Sequence, residues 1–227
     1  MSVETGRLSP DGVRSMFDRI APVYDAMNVV MTAGLDGGWR RETARTVVRR
    51  GDRVLDVCCG TGDLALAALE QGGRVTAVDF SEPMLDRARG KSAAVDWRHA
   101  DALALPFDDG KFDAVTIGFG LRNVEDVDRG LRELRRVLRR GGRLGVLDVT
   151  RPGGLLRHFY GLWFDRLIPL LGRVVPGGAA YTYLPASVRR FPTAPALADA
   201  LRDAGFADVT YRRFAGGIVA LHTGTAA

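Results

Sequence analysis

The stretch Arg53-Val54-Leu55-Asp56-Val57-Cys58-Cys59-Gly60-Thr61-Gly62-Asp63 decides the fold of this chain. It has the pattern of a hydrophobic strand, a tight glycine turn and the first residue of a helix. A second strand, 74–79, ends on the carboxylate of Asp79, so the two strands and the helix between them form a βαβ unit. Glycines let a ligand approach the backbone closely, and an acid at the tip of the second strand accepts hydrogen bonds from ribose hydroxyls. The sequence therefore predicts a site for a cofactor that contains adenosine.

Composition places the chain among soluble globular proteins. Its 227 residues are 46% hydrophobic and 26% charged, which suits one α/β domain with extensions. The 32 Lys and Arg residues exceed the 27 Asp and Glu residues, and the net charge is +5. A basic surface favours nucleic acid or anionic lipid, but the basic and aromatic pattern of a nucleic-acid module is missing. We therefore interpret the excess as solvated arginines and expect no nucleic-acid partner.

The cysteines, the histidines and the hydropathy of the chain bear on disulfides, metal sites and membrane segments. Cys58 and Cys59 are neighbours, which would strain a disulfide, so we interpret them as small apolar residues packed beneath the glycine turn. His99, His158 and His222 do not form a pair at metal-ligand spacing, and we expect no metal. The N-terminus lacks an apolar signal region, and no run approaches the roughly 18 apolar residues of a spanning helix. We expect a cytoplasmic protein.

The remaining pattern alternates strands with helices from residue 53 to residue 150. Strands are predicted at 53–58, 74–79, 94–98, 112–118 and 142–150, and helices near 61–71, 83–90, 126–139 and 193–204. Gly141 and Gly142 are expected to close the helix before the fifth strand. Two last strands, 208–213 and 217–222, flank a short turn that predicts an antiparallel pair. The fold class is therefore α/β, with a Rossmann-like, mostly parallel sheet and a C-terminal antiparallel strand pair.

The charges around the glycine turn favour one adenosine cofactor over another. Gly60-x-Gly62-x-x-Ala65 satisfies the relaxed fingerprint of a dinucleotide site. However, Asp56 and Asp63 bring negative charge to the place where a diphosphate would lie. Asp101 and Ala102 follow the third strand, where a side chain and an amide suit an adenine edge. A ligand with a sulfonium, an ammonium, a ribose and an adenine fits this pattern better, and S-adenosylmethionine is that ligand.

The same residues resemble the class I S-adenosylmethionine-dependent methyltransferases. Five further stretches are similar to signatures of the ubiquinone/menaquinone biosynthesis C-methyltransferase family, namely Phe17-Asp18-Arg19-Ile20-Ala21-Pro22-Val23-Tyr24-Asp25-x-x-Asn28, Gly118-Phe119-Gly120-Leu121-Arg122-Asn123, Tyr181-x-Tyr183-Leu184-x-x-Ser187, Phe191-Pro192 and Ala215-Gly216-Gly217-Ile218-Val219-Ala220-Leu221-His222. The resemblance covers roughly residues 15–223 and is closest to the menaquinone-type members. The chain departs from many members at Gly118, where they carry serine, and at Asp148, where they carry glutamate.

This resemblance implies a reaction and its partners. It implies methyl transfer from S-adenosylmethionine to a ring carbon of demethylmenaquinol, which gives menaquinol and S-adenosylhomocysteine. A prenylated quinol substrate implies transient contact with a membrane surface, peripheral and at its inner face, and a small domain of this kind leaves room for a homodimer. Two alternatives stay open: a methyltransferase for a ubiquinone precursor, sterol or other apolar lipid, and a non-catalytic cofactor-binding or assembly subunit. The acids at 56, 79 and 101 disfavour the second alternative.

The resemblance also implies site residues. The cofactor residues are expected to be Asp56, Gly60, Thr61, Gly62, Asp79, Asp101 and Ala102. Thr61 is placed beside the methionine end of the cofactor and Asp79 beside the ribose, and Asp101 with Ala102 frames the adenine. Asp56 approaches the turn, where it holds the amino group of the cofactor or orders the loop amides.

Three other residues are candidates for the chemistry and for the cover of the site. Arg122 is the candidate catalytic residue, which stabilises a phenolate or orients a proton-carrying water; the alternative is an ion pair with Glu125 or Asp126. Tyr24 and Asn28 are expected to close a cap over the cofactor or quinol, and the alternative is helix capping and packing.

The chain is divided accordingly into two parts. Residues 1–50 are interpreted as an N-terminal helical cap, and residues 51–227 as the methyltransferase domain. Within that single folded unit, 152–186 is interpreted as a lid-like insertion, because its aromatic and aliphatic residues suit a prenyl tail.

Overall fold

The computed structural model describes residues 9–151 and 178–227, and its centre is one seven-stranded sheet. The strands are β1 (Arg53–Val57), β2 (Arg74–Asp79), β3 (Asp96–His99), β4 (Phe112–Gly118), β5 (Leu138–Val149), β6 (Phe206–Phe214) and β7 (Val219–Ala226). They lie in the order β3-β2-β1-β4-β5-β7-β6. The first five are parallel, and β7 runs antiparallel to both β5 and β6. The predicted fold class, including the C-terminal antiparallel pair, is confirmed.

Helices cover both faces of this sheet in the described residues. They are α1 (Pro10–Ile20), α2 (Tyr24–Thr32), α3 (Asp36–Val47), α4 (Asp63–Glu70), α5 (Glu82–Lys91), α6 (Val127–Val137), α7 (Gly178–Arg190) and α8 (Ala194–Asp203). One core joins β1, β4 and β5 to α6 and α8, and a second joins β1 and β2 to α4 and α5. Since β1 and β4 are neighbours although β2 and β3 follow β1 in the chain, the strand order reverses between them. Ligands of open α/β sheets bind at the carboxyl ends of the strands at such a point.

The start of β5 differs from the sequence prediction. The strand begins at Leu138 and not at residue 142, and α6 ends at Val137. Leu138 is buried and pairs with Phe112, after which the register shifts between Phe112 and Ala114. Gly141, with φ of 70°, lies in this irregular part of the strand. The expectation that the glycine pair closes the helix is therefore wrong, because the pairing of Leu138 across the sheet ends α6 first.

The helix α7 was not predicted from the sequence. Pro185 lies inside it, and a proline normally interrupts a helix because it lacks an amide hydrogen. Ser187 and Val188 are nevertheless buried against the rest of the fold. Most of the predicted lid, 152–177, lies outside the described residues, and only its end falls on α7.

The described N-terminal residues form three helices, α1, α2 and α3. The Ser9 hydroxyl accepts a hydrogen bond from the Gly12 amide at 3.2 Å, with a proline at the first helical position, and α1 ends before Pro22. α3 packs directly against β5: a Cβ on Gly145 would lie 2.6 Å from Cγ2 of Val47. α3 is therefore part of the layer that covers the sheet. The division into a cap over 1–50 and a domain over 51–227 stays a prediction.

Two further observations concern the described residues only. Across 9–151 and 178–227, the helices are all too short or too polar to cross a bilayer. The same ranges hold no group of three or more His, Cys, Asp and Glu residues arranged for a metal ion.

Candidate active site

The turn after β1 has a backbone that few side chains tolerate. Cys58, Gly60 and Gly62 all have positive φ, at 53°, 55° and 90°. A Cβ on Gly62 would lie 2.4 Å from a ring carbon of Trp97, so this position admits only glycine. The burial of Cys59 and the partial burial of Cys58 fit the prediction of two small apolar residues at this turn.

Asp79 joins this turn to the loop after β2. Its Oδ2 accepts a hydrogen bond from the Gly60 amide at 2.7 Å, and its Oδ1 accepts one from the Ser81 amide at 2.9 Å. Burial raises the pKa of Asp79, and the bonds from the Ser81, Gly60 and Phe80 amides oppose this rise. A carboxylate has about four acceptor positions, so Asp79 keeps acceptor capacity for a further donor.

A cavity of about 630 Å³ lies against these residues at the carboxyl ends of the strands. We call it the polar chamber. Gly60, Asp79, Asp101 and Ala102, four of the residues expected from the sequence to bind the cofactor, line it, and so does Arg122. The Asp101 Oδ1 accepts a hydrogen bond from the Leu103 amide at 2.9 Å, which fixes the carboxylate at the chamber wall. Glu125 also lines the chamber, which therefore presents three carboxylates and a glycine backbone to a ligand.

Three predicted cofactor residues lie outside the described lining of the polar chamber. Asp56 is fully buried in β1, where its Oδ1 accepts a hydrogen bond from the Thr116 hydroxyl at 2.7 Å. The Thr61 hydroxyl donates to Asp25 Oδ1 at 2.5 Å, which ties the glycine turn to α2. Gly62 is covered by Trp97. These three residues lie behind the chamber wall and hold the strand and the turn that form it.

The buried carboxyl group of Asp56 makes the stability of the chain depend on pH. Burial raises the pKa of Asp56 from 3.8 to about 7, against the opposing hydrogen bond from Thr116. Between these two pH values the folded state holds a proton on Asp56 that the unfolded chain releases. The stability that the neutral Asp56 contributes is therefore fully present below about pH 4 and is lost as the pH rises through about 7. We expect Asp56→Asn to gain up to a few kcal/mol of unfolding free energy relative to wild type across this range, because one pKa unit is about 1.4 kcal/mol.

Urea unfolding of both proteins between about pH 4 and pH 8 measures this gap. A gap that stays constant with pH would contradict a neutral, buried carboxyl group at position 56.

Arg122 pairs with a residue that lies far from it in the sequence. Its guanidinium donates to Asp148 Oδ1 at 2.6 Å and to the Phe119 carbonyl at 2.5 Å, and its amide donates to Asp148 Oδ2 at 3.2 Å. The alternative ion pair with Glu125 or Asp126 is therefore wrong. Burial alone lowers the pKa of Arg122, but the charge and hydrogen bond of Asp148, together with the nearby Tyr24 and Tyr183, outweigh it and the pKa is raised. Within the described residues, the buried Nε of Arg122 has no hydrogen-bond partner.

A second cavity, of about 330 Å³, adjoins the first. We call it the apolar chamber, because α1, α2, α3 and the end of β5 line it mainly with aliphatic and aromatic side chains. The two chambers share six lining residues, namely Phe17, Tyr24, Phe119, Arg122, Asn123 and Tyr183. A ligand in one chamber therefore lies beside a ligand in the other, with Arg122 between them.

The two predicted cap residues occupy different places. Tyr24 lines both chambers, and its ring lies 3.8 Å from the position of a Cβ on Gly60. Asn28 lines the apolar chamber, and its buried Nδ2 finds no partner in the part of the chain that is described. The structure thus brings Tyr24 to the glycine turn and Asn28 to the second cavity.

Sequence reasoning missed several residues of this site. Asp18 accepts a hydrogen bond from Ser81 at 2.5 Å, and Asp25, which also bonds Thr61, pairs with Lys91 at 2.8 Å. Two carboxylates of the N-terminal helices therefore hold the glycine turn and the loop after β2. Burial raises the pKa of Asp25, but the Lys91 and Thr61 bonds outweigh it and the pKa is lowered. Both acids stand in the quoted Phe-Asp-Arg-Ile-Ala-Pro-x-Tyr-Asp motif, which is the signal that could have found them.

Solved structures show the same fold. An S-adenosylmethionine-dependent methyltransferase from Thermotoga maritima superposes with a TM-score of 0.71 and 21% identity, covering 95% of this chain and 100% of its own. Another from Mesorhizobium loti gives a TM-score of 0.59 and 21% identity over 81% of this chain and 96% of its own. At this identity the likeness concerns the fold alone.

Sequence relatives are much closer. The chain is 44% identical to a demethylmenaquinone methyltransferase of Clavibacter sepedonicus, over 95% of this chain and 90% of the relative. It is 45% identical to a demethylmenaquinone methyltransferase of Thermus thermophilus, over 92% and 99%. A 2-phytyl-1,4-naphtoquinone methyltransferase of Synechococcus elongatus is 41% identical over 93% and 96%.

The family comparison agrees with the resemblance drawn from the motifs. The profile of the ubiE/COQ5 methyltransferase family matches residues 5–226, almost the whole chain. The predictions of this family and of a methyltransferase fold are confirmed. The chain belongs to the ubiE/COQ5 methyltransferase family.

Proposed function

We propose that this chain transfers the methyl group of S-adenosylmethionine to a ring carbon of demethylmenaquinol, which gives menaquinol and S-adenosylhomocysteine. The observation that carries the proposal is the pair of adjoining chambers, one polar and one apolar, that share Arg122. The relatives named for demethylmenaquinone and for a phytylated naphthoquinone support the choice of acceptor.

The polar chamber suits the methyl donor. Asp79 offers a carboxylate acceptor to ribose hydroxyls, and Asp101 and Ala102, which line the same chamber, contact the adenine edge in this proposal. The missing Cβ of Gly60 lets a ligand approach the turn. Asp56, Thr61 and Gly62 would act behind the wall by fixing the turn.

The shared wall suits the chemistry at the acceptor. When bound, the donor supplies a methyl group on a sulfonium, which is already a strong electrophile. Once the acceptor hydroxyl has lost its proton to water, Arg122, held by Asp148 and the Phe119 carbonyl, stabilises the aryl oxide that pushes electron density onto the ring carbon. The methylated carbon then gives up its own hydrogen as a proton, which restores the aromatic ring, and the aryl oxide takes back a proton. Phe119, Tyr24 and Tyr183 exclude water and orient the ring, so the two reactants meet in a fixed geometry.

The apolar chamber suits a prenylated ring. Met27, Met31 and Ile218 line it, and flexible methionines adapt to an apolar ligand. Val29 and Val30, which follow one another on α2, are exposed apolar residues, and Leu35 is exposed at the chamber wall. These side chains support transient contact with the inner face of a membrane by a cytoplasmic protein, since a prenylated quinol resides in the bilayer. A homodimer stays a prediction.

The test is a methyl-transfer assay with purified protein and labelled S-adenosylmethionine. We expect label in a chemically reduced demethylmenaquinol and much less in a demethylated ubiquinone precursor offered at the same concentration. Label in the benzoquinol or another lipid instead would overturn the choice of acceptor. Binding of the donor without transfer to any lipid would favour a non-catalytic subunit.

A further inference from the structure

A row of polar side chains crosses the otherwise apolar chamber. Asn28, Thr32, Asp36 and Arg40 follow one another at a spacing of four residues, along α2 and into α3, and all four line that chamber. The Thr32 hydroxyl lies 2.7 Å from the Asn28 carbonyl and 3.0 Å from Asp36 Oδ1, and Arg40 Nε lies 3.5 Å from Asp36 Oδ2. We call these residues the polar row.

The polar row has hydrogen-bond donors that nothing described in the chain satisfies. Nδ2 of Asn28 and Nε of Arg40 are both buried, and neither has a hydrogen-bond partner among residues 9–151 and 178–227. Arg40 as a whole is only 6% exposed. Buried polar groups are nearly always paired, and each exception calls for an explanation. The unpaired Asn28 amide, with Arg40 Nε held only by its 3.5 Å ion pair with Asp36, indicates a ligand that brings oxygen atoms into this cavity.

The row is separate from the oxygen site at Arg122. None of its four residues lines the described wall of the polar chamber, whereas Arg122 lines both chambers. The guanidinium carbons of Arg40 and Arg122 lie 5.1 Å and 6.0 Å from the centre of the Phe119 ring. The apolar chamber therefore has two donor sites, one at the shared wall and one on the cap helices.

We propose that the polar row binds the second oxygen of a 1,4-dihydroxyarene acceptor, with Asn28 Nδ2 as its principal donor and Arg40 beside it. The first oxygen faces Arg122, as the proposed function requires, and the inference rests on that function. Asp36 and Thr32 hold Arg40 and the helix in place. The row thereby selects a hydroquinone over an arene with a single hydroxyl group, because a monohydroxy ring leaves the donors unpaired.

Calorimetric binding tests this inference without depending on turnover. Two ligands are compared under anaerobic conditions: a short-chain 2-prenyl-1,4-naphthalenediol and the corresponding 2-prenyl-1-naphthol, which lacks the second hydroxyl. The variant is Asn28→Leu, which removes the amide and keeps a similar volume. Gln71→Leu, an amide replaced outside both chambers, is the matched control.

We expect wild type and Gln71→Leu to bind the diol roughly tenfold more tightly than the naphthol, a difference of about 1.4 kcal/mol. Asn28→Leu should lose most of this preference by weakening the diol alone. Equal affinities of wild type for the two ligands, or an equal loss for both in Asn28→Leu, would overturn the inference. Normal diol selectivity without methyl transfer would instead count against the proposed function.

Discussion

Replacing Asp79 with alanine raises the dissociation constant for S-adenosylmethionine by roughly a hundredfold or more. The change removes an acceptor from the Gly60 and Ser81 amides, which lie in the two loops that wall the polar chamber. It also removes the group proposed to receive the ribose hydroxyls. Hydrogen bonds to a charged group contribute about 1.5–3 kcal/mol each. The loss of two such bonds from the complex therefore raises the dissociation constant at least about a hundredfold.

Calorimetry with the cofactor measures this effect, and two variants sharpen it. Asp79→Asn keeps one oxygen acceptor and should fall between wild type and the alanine variant. Asp96→Ala removes a carboxylate from an exposed ion pair with Arg98 on β3 and should bind as wild type does. Unchanged affinity in Asp79→Ala would remove the ribose assignment, provided that circular dichroism shows a folded protein.

The part of the site around the glycine turn and Asp79 is predictable from the sequence, because the residues that form it lie close together in the chain. The strand β1, the glycine turn and the start of α4 follow one another, and Asp79 stands at the end of the next strand. Positive φ and close packing leave glycine as the residue for position 62. A pattern of adjacent residues is enough to place all of these at one edge of the sheet.

Other contacts of the site join residues that lie far apart in the chain. Arg122 has nearby acids at 125 and 126, yet it pairs with Asp148, 26 residues away, because parallel pairing of β4 and β5 brings their ends together. Likewise, Thr61 meets Asp25, 36 residues away, only once α2 covers the turn. Sequence spacing does not reveal which of several carboxylates a buried arginine meets.

The same reasoning explains the errors in the secondary structure. Leu138 becomes a strand residue because Phe112 pairs with it, and that contact outweighs the local helical pattern. α7 forms in spite of Pro185, with Val188 buried in its second half. Local propensity is a weak predictor wherever burial on the finished sheet decides the conformation.

Hydrogen bonds and ion pairs attach the first two helices to the candidate site. Asp18 and Asp25 attach α1 and α2 to the loops after β2 and β1, and Lys91 bridges Asp25 to Asp63 at the start of α4. Tyr24 then lies over the glycine turn and at the wall between the chambers. The contacts that hold the loops after β1 and β2 therefore also position the wall against which, in the proposed function, the acceptor ring packs.

Replacing Arg122 with lysine lowers kcat for methyl transfer by roughly 100- to 1,000-fold and leaves the dissociation constant of S-adenosylmethionine within about twofold. The loss of one donor aimed at a developing oxyanion has an effect of that size. A lysine keeps the charge that balances buried Asp148 and can replace Nη1, which alone makes the contacts to Asp148 and to the Phe119 carbonyl. It lacks the Nε and Nη2 groups of the guanidinium, and the buried Nε of Arg122 has no hydrogen-bond partner among the described residues. The aryl oxide then loses its fixed donor in the transition state.

Single-turnover kinetics with saturating diol measures the chemical step directly. Arg132→Lys, the same change at an exposed position of α6, serves as the matched control and should retain wild-type kcat. Urea unfolding gives the free energy of unfolding of both variants. If Arg122→Lys is as stable as Arg132→Lys but slow, the loss of kcat is due to the lost catalytic contact and not to a destabilised fold. If kcat stays within threefold of wild type, Arg122 only holds Asp148 in place, and the oxygen at the shared wall must be stabilised by another group.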